Sequence, residues 1–187
     1  MNSSYGQPFR LLWSVVAILF ALTSGSALAC SADIDREADV ALAKLYEGTP
    51  VAKKLAGEAV AVLVFPSVIK GGLMIGGQYG KGVLRKDGKS VGYYRSDALS
   101  YGLQAGAQSF GYALFFMTPE TLAYLDKSEG WELGVGPSIV VMDEGMAKSM
   151  TTTTAKEGIY AFIFGQKGLM AGIGLQGSKI TRIDPDK

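Results

Sequence analysis

The sequence predicts an α+β domain: a curled, barrel-like antiparallel sheet of about seven or eight strands, with helices at the N-terminal side and one more in mid-chain. Three observations carry this. Residues 59–84 form a glycine-rich stretch with strand periodicity, the same small–large rule returns twice downstream, and helical periodicity is confined to residues 34–59 and 118–127.

In residues 59–84 an apolar run ends at Phe65 and Pro66, Lys70 follows, and then Gly71, Gly72, Gly76, Gly77, Gly80 and Gly82 are interleaved with larger residues. In a helix each of these glycines would cost roughly 1 kcal/mol relative to alanine. In a strand they mark bends, bulges or the close approach of another backbone. With a period of two, Gly72, Met74, Gly76, Gln78 and Gly80 share one face, and Leu73, Ile75, Gly77, Tyr79 and Lys81 share the other. One face is therefore mostly bare backbone. The Gly-x-x-x-Gly pattern recurs from Gly72, Gly102 and Gly168, at intervals too uneven for a solenoid. Such rows serve either sheet curvature or close approach of a ligand, and curvature is the simpler reading.

The chain opens on a different kind of segment. Arg10 is the only charge before Asp33, residues 11–22 are apolar apart from Ser14, and Ala27-Leu28-Ala29 is a small-residue cleavage site. Residues 1–29 are predicted to be a secretory signal peptide, since the apolar run is shorter than the roughly 20 residues of a bilayer-spanning helix. Cleavage there leaves Cys30, the one cysteine of the chain, as the first mature residue. A lone thiol in an exported protein has no disulfide partner, and acylation is the natural use for it. Ser26 to Cys30 resembles a lipobox, although ordinary cleavage after Ala29 fits too. The expectation is an outer-membrane lipoprotein facing the periplasm, or else a soluble periplasmic or secreted protein, with residues 30–187 as a single domain.

Within that domain, Ile34, Ala38, Ala41, Leu42 and Leu45 predict an amphipathic helix over 34–47, with acids in its first turn where the helix dipole favours them. Gly48-Thr49-Pro50 interrupts it, and a second helix follows over 51–59 with Thr49 as cap and Pro50 at its first position. Asp87-Gly88 marks a hairpin turn after the glycine-rich strand. Residues 100–117 read as a strand, Thr118 and Pro119 open a helix to about Lys127, and residues 131–142, 159–164, 169–175 and 179–183 read as further strands.

Charge is distributed unevenly. Residues 30–52 hold two basic and five acidic side chains, residues 53–95 eight and two, and residues 96–187 seven and ten. A middle third at +6 between flanks of −3 favours a local anionic partner over general polyanion binding such as to nucleic acid. Lysines that protect a sheet edge would give the same pattern.

The chemistry available is narrow. There is no histidine, which removes imidazole triads, most zinc sites and imidazole relays. Gly172 to Gly177 matches a dinucleotide fingerprint by letter, yet it lies ten residues from the end with no room for a βαβ unit. Gly76 to Lys81 is one residue short of a phosphate loop and is followed by Gly82 where Ser or Thr is required. Asp143-Glu144 and Glu129/Glu132 are the carboxylate pairs available, and acids in polar loops are ordinarily just solvated. No cofactor, metal site or enzymatic activity is expected.

Several ordered blocks, Val64-Phe65-Pro66, Lys70-Gly71-Gly72, Gly76 to Leu84, Gly102 to Gln108 and Lys167-Gly168-Leu169, together resemble the SYLF domain over about residues 34–183. The resemblance implies a non-enzymatic, membrane-lipid-binding module, with phosphoinositide and, in some relatives, actin binding among eukaryotic members. An exported bacterial-type protein meets neither ligand ordinarily, so the expectation is recognition of anionic lipid headgroups at the cell envelope. Lys70, Lys81, Arg85, Lys86 and Lys89 are the candidate headgroup contacts and Cys30 the candidate lipidation site. The alternative is a structural envelope protein whose sheet binds a protein partner.

Overall fold

A computed structural model describes residues 31–127, 131–132, 139–142, 158–168 and 178–187. The expected signal peptide, Cys30, the strand expected over 169–175 and the pairs Asp143-Glu144 and Glu129/Glu132 lie outside these residues, save Glu132.

Helix α1, Ser31–Gly48, buries Ile34, Ala38, Ala41 and Leu45 along one stripe. It ends as expected at Gly48, where the Thr49 amide donates to the Leu45 carbonyl at 2.8 Å. Helix α2, Pro50–Glu58, begins with proline, whose missing amide costs nothing there, and buries Val51, Ala52 and Leu55. Thr49 holds the cap position, but its hydroxyl makes no capping bond; the backbone turn, with Ala52 N donating to Thr49 O at 3.0 Å, closes it instead.

Strands β1, Ala61–Lys86, and β2, Lys89–Phe116, form one very long antiparallel hairpin that pairs from Ala61/Phe116 to Lys86/Lys89. Its turn is Asp87-Gly88, with φ of 49° and 74°, the left-handed pair that matches strand twist in a two-residue turn. Helix α3, Pro119–Lys127, follows β2 and buries Thr121 and Leu125. The remaining strands are β3, Trp131–Glu132, β4, Ile139–Met142, β5, Ile159–Gly168, and β6, Lys179–Ile183.

The sheet runs β3-β6-β2-β5-β4, with β1 on β2. β6 pairs with β2 over Tyr93–Asp97, and β5 with β2 over Gln108–Phe116, so two strands share one flank of the same long strand. The architecture is the expected α+β half-barrel with helices at the N-terminal side. Two details differ. The sheet is mixed, because β4 pairs with β5 in parallel, and residues 143–158 supply a connection long enough for that. The strands are also fewer and longer among the described residues: the hairpin strand and the apolar strand after it are one element, β2. The single strand expected over 131–142 is two, with β3 on β6 and β4 on β5.

Alternation along the strands separates two cores. The outer face of the sheet, with Val62, Val64, Val83, Ala113, Phe115, Tyr160 and Phe162, packs under α1 and α2. The inner face, with Leu63, Phe65, Val68, Leu84, Tyr94, Phe110, Tyr112 and Leu114, closes on itself and on Leu125 of α3.

The glycine row makes this closure possible. A β-carbon on Gly82 would stand 2.5 Å from the Val64 carbonyl oxygen and 2.7 Å from the Phe65 ring, and one on Gly80 would stand 2.6 Å from Val68. The two ends of β1 therefore fold against each other with only bare backbone between them, which is the curvature reading of the row. Gly82→Ala is expected to destabilise the protein by about 1–3 kcal/mol through overpacking. Gly57→Ala, in α2 with nothing within 4 Å, is expected to stabilise it by about 0.5–1 kcal/mol. Equilibrium denaturation checks both, and a Gly82→Ala variant as stable as wild type would refute the close-approach account.

Candidate functional site

The outer face of the sheet is only partly covered. Beyond the reach of α1 and α2 it carries exposed apolar side chains: Leu99 at 90% of its free exposure, Ile69 at 62% and Tyr79 at 48%. These three, with Gly77, Asp97 and Lys179, line a shallow cleft of about 700 Å³. Register explains their meeting, since Gly77 pairs with Leu99, Tyr79 with Asp97, and Asp97 in turn with Lys179 of β6. Large exposed apolar groups drawn together in this way mark interaction surfaces.

Cations border the cleft. Lys81 follows Tyr79 on the same face and lies opposite Arg95 in the ladder. Arg95 donates from Nε to Asp97 at 2.6 Å, so Asp97 neutralises the arginine next to Lys81 and leaves the lysine and Lys179 without an ion pair among the described residues. Lys86 and Lys89 face each other across the hairpin turn and are exposed. Lys70 pairs with Gln108, whose side chain is in the inner face, and so it stands on the rim away from Lys81. The five sequence-selected cations are thus distributed along the hairpin.

Arg85 is placed differently from the others. Its side chain is 16% exposed beneath α1 and its Nη2 donates to the Asp39 carboxylate at 2.6 Å and to the Asp35 carbonyl at 3.1 Å. Its Nη1 donates to Ser90 Oγ at 2.8 Å. The Asp35 carboxylate also accepts from Ser90 Oγ at 2.7 Å and from the Tyr93 hydroxyl at 3.0 Å. Burial, and then the Asp35 charge, push the Tyr93 phenol above its ordinary range. This clasp ties the first turns of α1 to the turn end of the hairpin, so Arg85 is committed within the protein.

Sequence reasoning missed Leu99, Ile69, Tyr79 and Lys179 as one surface. Ile69 lies within the glycine-rich strand stretch and Leu99 just ahead of the strand expected from residue 100, and nothing local signals that the helices stop short of them.

The inner face carries polar atoms without partners. Gln78 Nε2, Ser96 Oγ, Gln108 Oε1, Tyr112 Oη and Ser178 Oγ are buried with no well-formed hydrogen bond among the described residues. Burial raises the Tyr112 phenol far above its ordinary pKa and brings Tyr94, which also faces Asp126 at 3.3 Å, to about 12. No group of His, Cys, Asp or Glu able to hold a metal exists among the described residues. No described helix is long and apolar enough to cross a membrane.

Two outcomes follow from these contacts. Arg85→Ala is expected to cost about 2 kcal/mol, the scale of hydrogen bonds to a charged group, with only partial recovery in Arg85→Lys because the planar fork is lost; denaturation curves check this. The raised phenols favour the neutral form in the fold. Their contribution is therefore complete below pH 10, the ordinary tyrosine value, and lost as pH rises through about 12. Melting temperature should fall above pH 10, and Tyr112→Phe should shrink that fall while leaving stability at pH 7 equal or higher, since its hydroxyl is buried with no well-formed hydrogen bond among the described residues, Ser96 being its one polar neighbour there. A Tyr112→Phe variant much weaker at pH 7 would contradict this.

No curated protein sequence matches the chain. Residues 97–185 match the family model described as Ysc84, Las17-binding protein actin regulator. The match covers the second part of β2, α3 and β3 to β6, and so it includes Leu99, Tyr112 and Lys179. The Gly102–Gln108 and Lys167–Leu169 blocks that carry the SYLF resemblance lie within it, and the Ysc84 (SYLF) match over residues 97–185 agrees with that resemblance.

Proposed function

We propose that the chain is a non-enzymatic module that docks on anionic lipid surfaces through the bare outer face of its sheet. The observation that carries this is exposed Leu99, Ile69 and Tyr79 lining one cleft with Lys179, and Lys81 on the same face, neither lysine having an ion pair among the described residues. Apolar groups that enter the interfacial region, flanked by lysines that reach lipid phosphates, are the chemistry of peripheral membrane binding. Each lysine near an anionic surface contributes on the order of 1 kcal/mol.

The proposal includes export and a tether. Acylated Cys30 would precede α1 directly, and the Asp35–Arg85–Ser90 clasp holds the first turns of α1 against the turn end of the hairpin. An anchor there brings Lys86 and Lys89 to the bilayer as a second basic contact. A single acyl chain binds marginally, so two weak contacts and a tether suit each other. The site would face the periplasm from the outer membrane.

A second reading has its own support. The matched family model is described by a protein partner, Las17, and by actin regulation. The exposed apolar cleft would serve a protein contact at the envelope equally well by shape, and charge distinguishes the two.

Cosedimentation with phosphatidylglycerol-containing vesicles is expected to fall steeply between low and physiological salt. Lys81→Glu with Lys179→Glu should weaken it at low salt by about tenfold or more, the scale of one to two kcal/mol, and Leu99→Ser should weaken it at all salts. In cells, Cys30→Ser should leave the membrane fraction. Binding to neutral and anionic vesicles alike, or an unchanged charge-reversal variant, would reject the lipid reading in favour of the protein contact.

A further inference from the structure

A second concavity lies on the outer face, at the flank of α1, and its construction is unusual. Phe65 pairs with Tyr112 and Val68 with Phe110, so Pro66 and Ser67 stand opposite Gly111 alone. On the other side of β2, Ser109 pairs with Lys167 and Gly111 with Phe164, so Gly165 and Gln166 stand opposite Phe110 alone. Three adjacent strands thus break register at one level. Gly165 adopts a φ of 62° there, a left-handed conformation that suits glycine. Bulges re-aim side chains and recur beside functional sites.

The result is a cavity of about 470 Å³ between the bulges and α1, within the range of small-molecule sites. Its walls are apolar: Val40 and Ala41 from α1, Pro66 from β1, and the Phe164 ring, which lies over the bare backbone of Gly111 so closely that a β-carbon there would meet it at 2.5 Å. Its rim is basic. Lys44 of α1 and Lys167 of β5 both line it, and neither makes an ion pair among the described residues. Arg36 at the same rim is held by Asp33 at 2.7 Å, and Glu37 is the one acid lining the cavity.

We propose that this cavity binds a single alkyl chain bearing an anionic head, with the chain against Val40, Pro66 and Phe164 and the head between Lys44 and Lys167. An apolar slot lined by two ammonium groups without an ion pair among the described residues discriminates by charge at the head and by contact along the chain. A fatty-acid carboxylate and a phosphate monoester share this chemistry. The site is independent of the vesicle-binding face, because none of Tyr79, Lys81, Leu99 or Lys179 lines it.

The test is calorimetric titration of the purified protein with dodecanoate, dodecyl phosphate and dodecyltrimethylammonium, each below its micellar concentration. The two anions are expected to bind saturably at one per chain, with the cation of equal chain length at least tenfold weaker. Tighter dodecanoate than dodecyl phosphate assigns a carboxylate ligand, and the reverse a phosphate one. Val40→Trp, a change at a half-exposed position, should fill the slot and abolish binding. Lys44→Glu with Lys167→Glu should weaken dodecanoate at least tenfold, while Lys81→Glu with Lys179→Glu leaves it unchanged. Equal affinity for anion and cation, or undiminished dodecanoate binding by folded Val40→Trp, overturns the proposal whatever the outcome with vesicles.

Discussion

The approach of Gly80 and Gly82 to Val64, Phe65 and Val68 is the contact on which the rest of the molecule depends. A 26-residue strand cannot stay flat while burying apolar groups on both faces of one end. It twists and coils, and where its two ends meet there is no space for a side chain. The bare backbone lets Phe65 fill that space from the other side, where its ring stacks on Tyr112 at a centroid distance of 4.6 Å. Curvature then separates the surfaces: the inner face becomes a closed core, and the outer face becomes a platform for α1 and α2.

That platform is larger than its cover. α1 is fixed at its N-terminal end by the Arg85 clasp and along its length by Ile34, Ala38, Ala41 and Leu45. What the helices leave bare is the part of the sheet where β1, β2 and β6 run side by side. The exposed cleft arises there because β6 pairs with β2 at Tyr93–Asp97 and delivers Lys179 beside Asp97. The bulged cavity arises at the border of the covered region, where the ladder yields on both sides of β2 at once. Both features are consequences of one long strand serving several partners.

The family match and the glycine-rich hairpin belong to one folding unit even though the match begins at Asp97. Residues 98–116 of β2 pair with residues 61–78 of β1, and the inner core mixes Leu63, Phe65 and Val68 with Tyr112, Leu114, Ile159 and Ile180. Severing the matched segment from β1 would expose one whole flank of β2 and half of that core. The matched segment therefore requires the hairpin, and the exposed cleft and the bulged cavity draw residues from both sides of Asp97.

The sequence by itself determined the elements whose causes are local. The stripe Ile34, Ala38, Ala41, Leu45 and the break at Gly48-Thr49-Pro50 define two helices, Asp87-Gly88 defines the hairpin turn, and the glycine rows define a curved sheet, because periodicity and backbone freedom act within a few residues. The resemblance to the SYLF domain was legible for the same reason, as ordered blocks. Only the tertiary structure decided that Arg85 is spent on Asp35 and Asp39 and that β4 runs parallel to β5. It alone brought Lys179 to Leu99, and Lys44 to Lys167. Those outcomes depend on register between strands far apart in the chain and on where a helix ends over a sheet, and pair contacts of that kind leave no trace in the local order of residues.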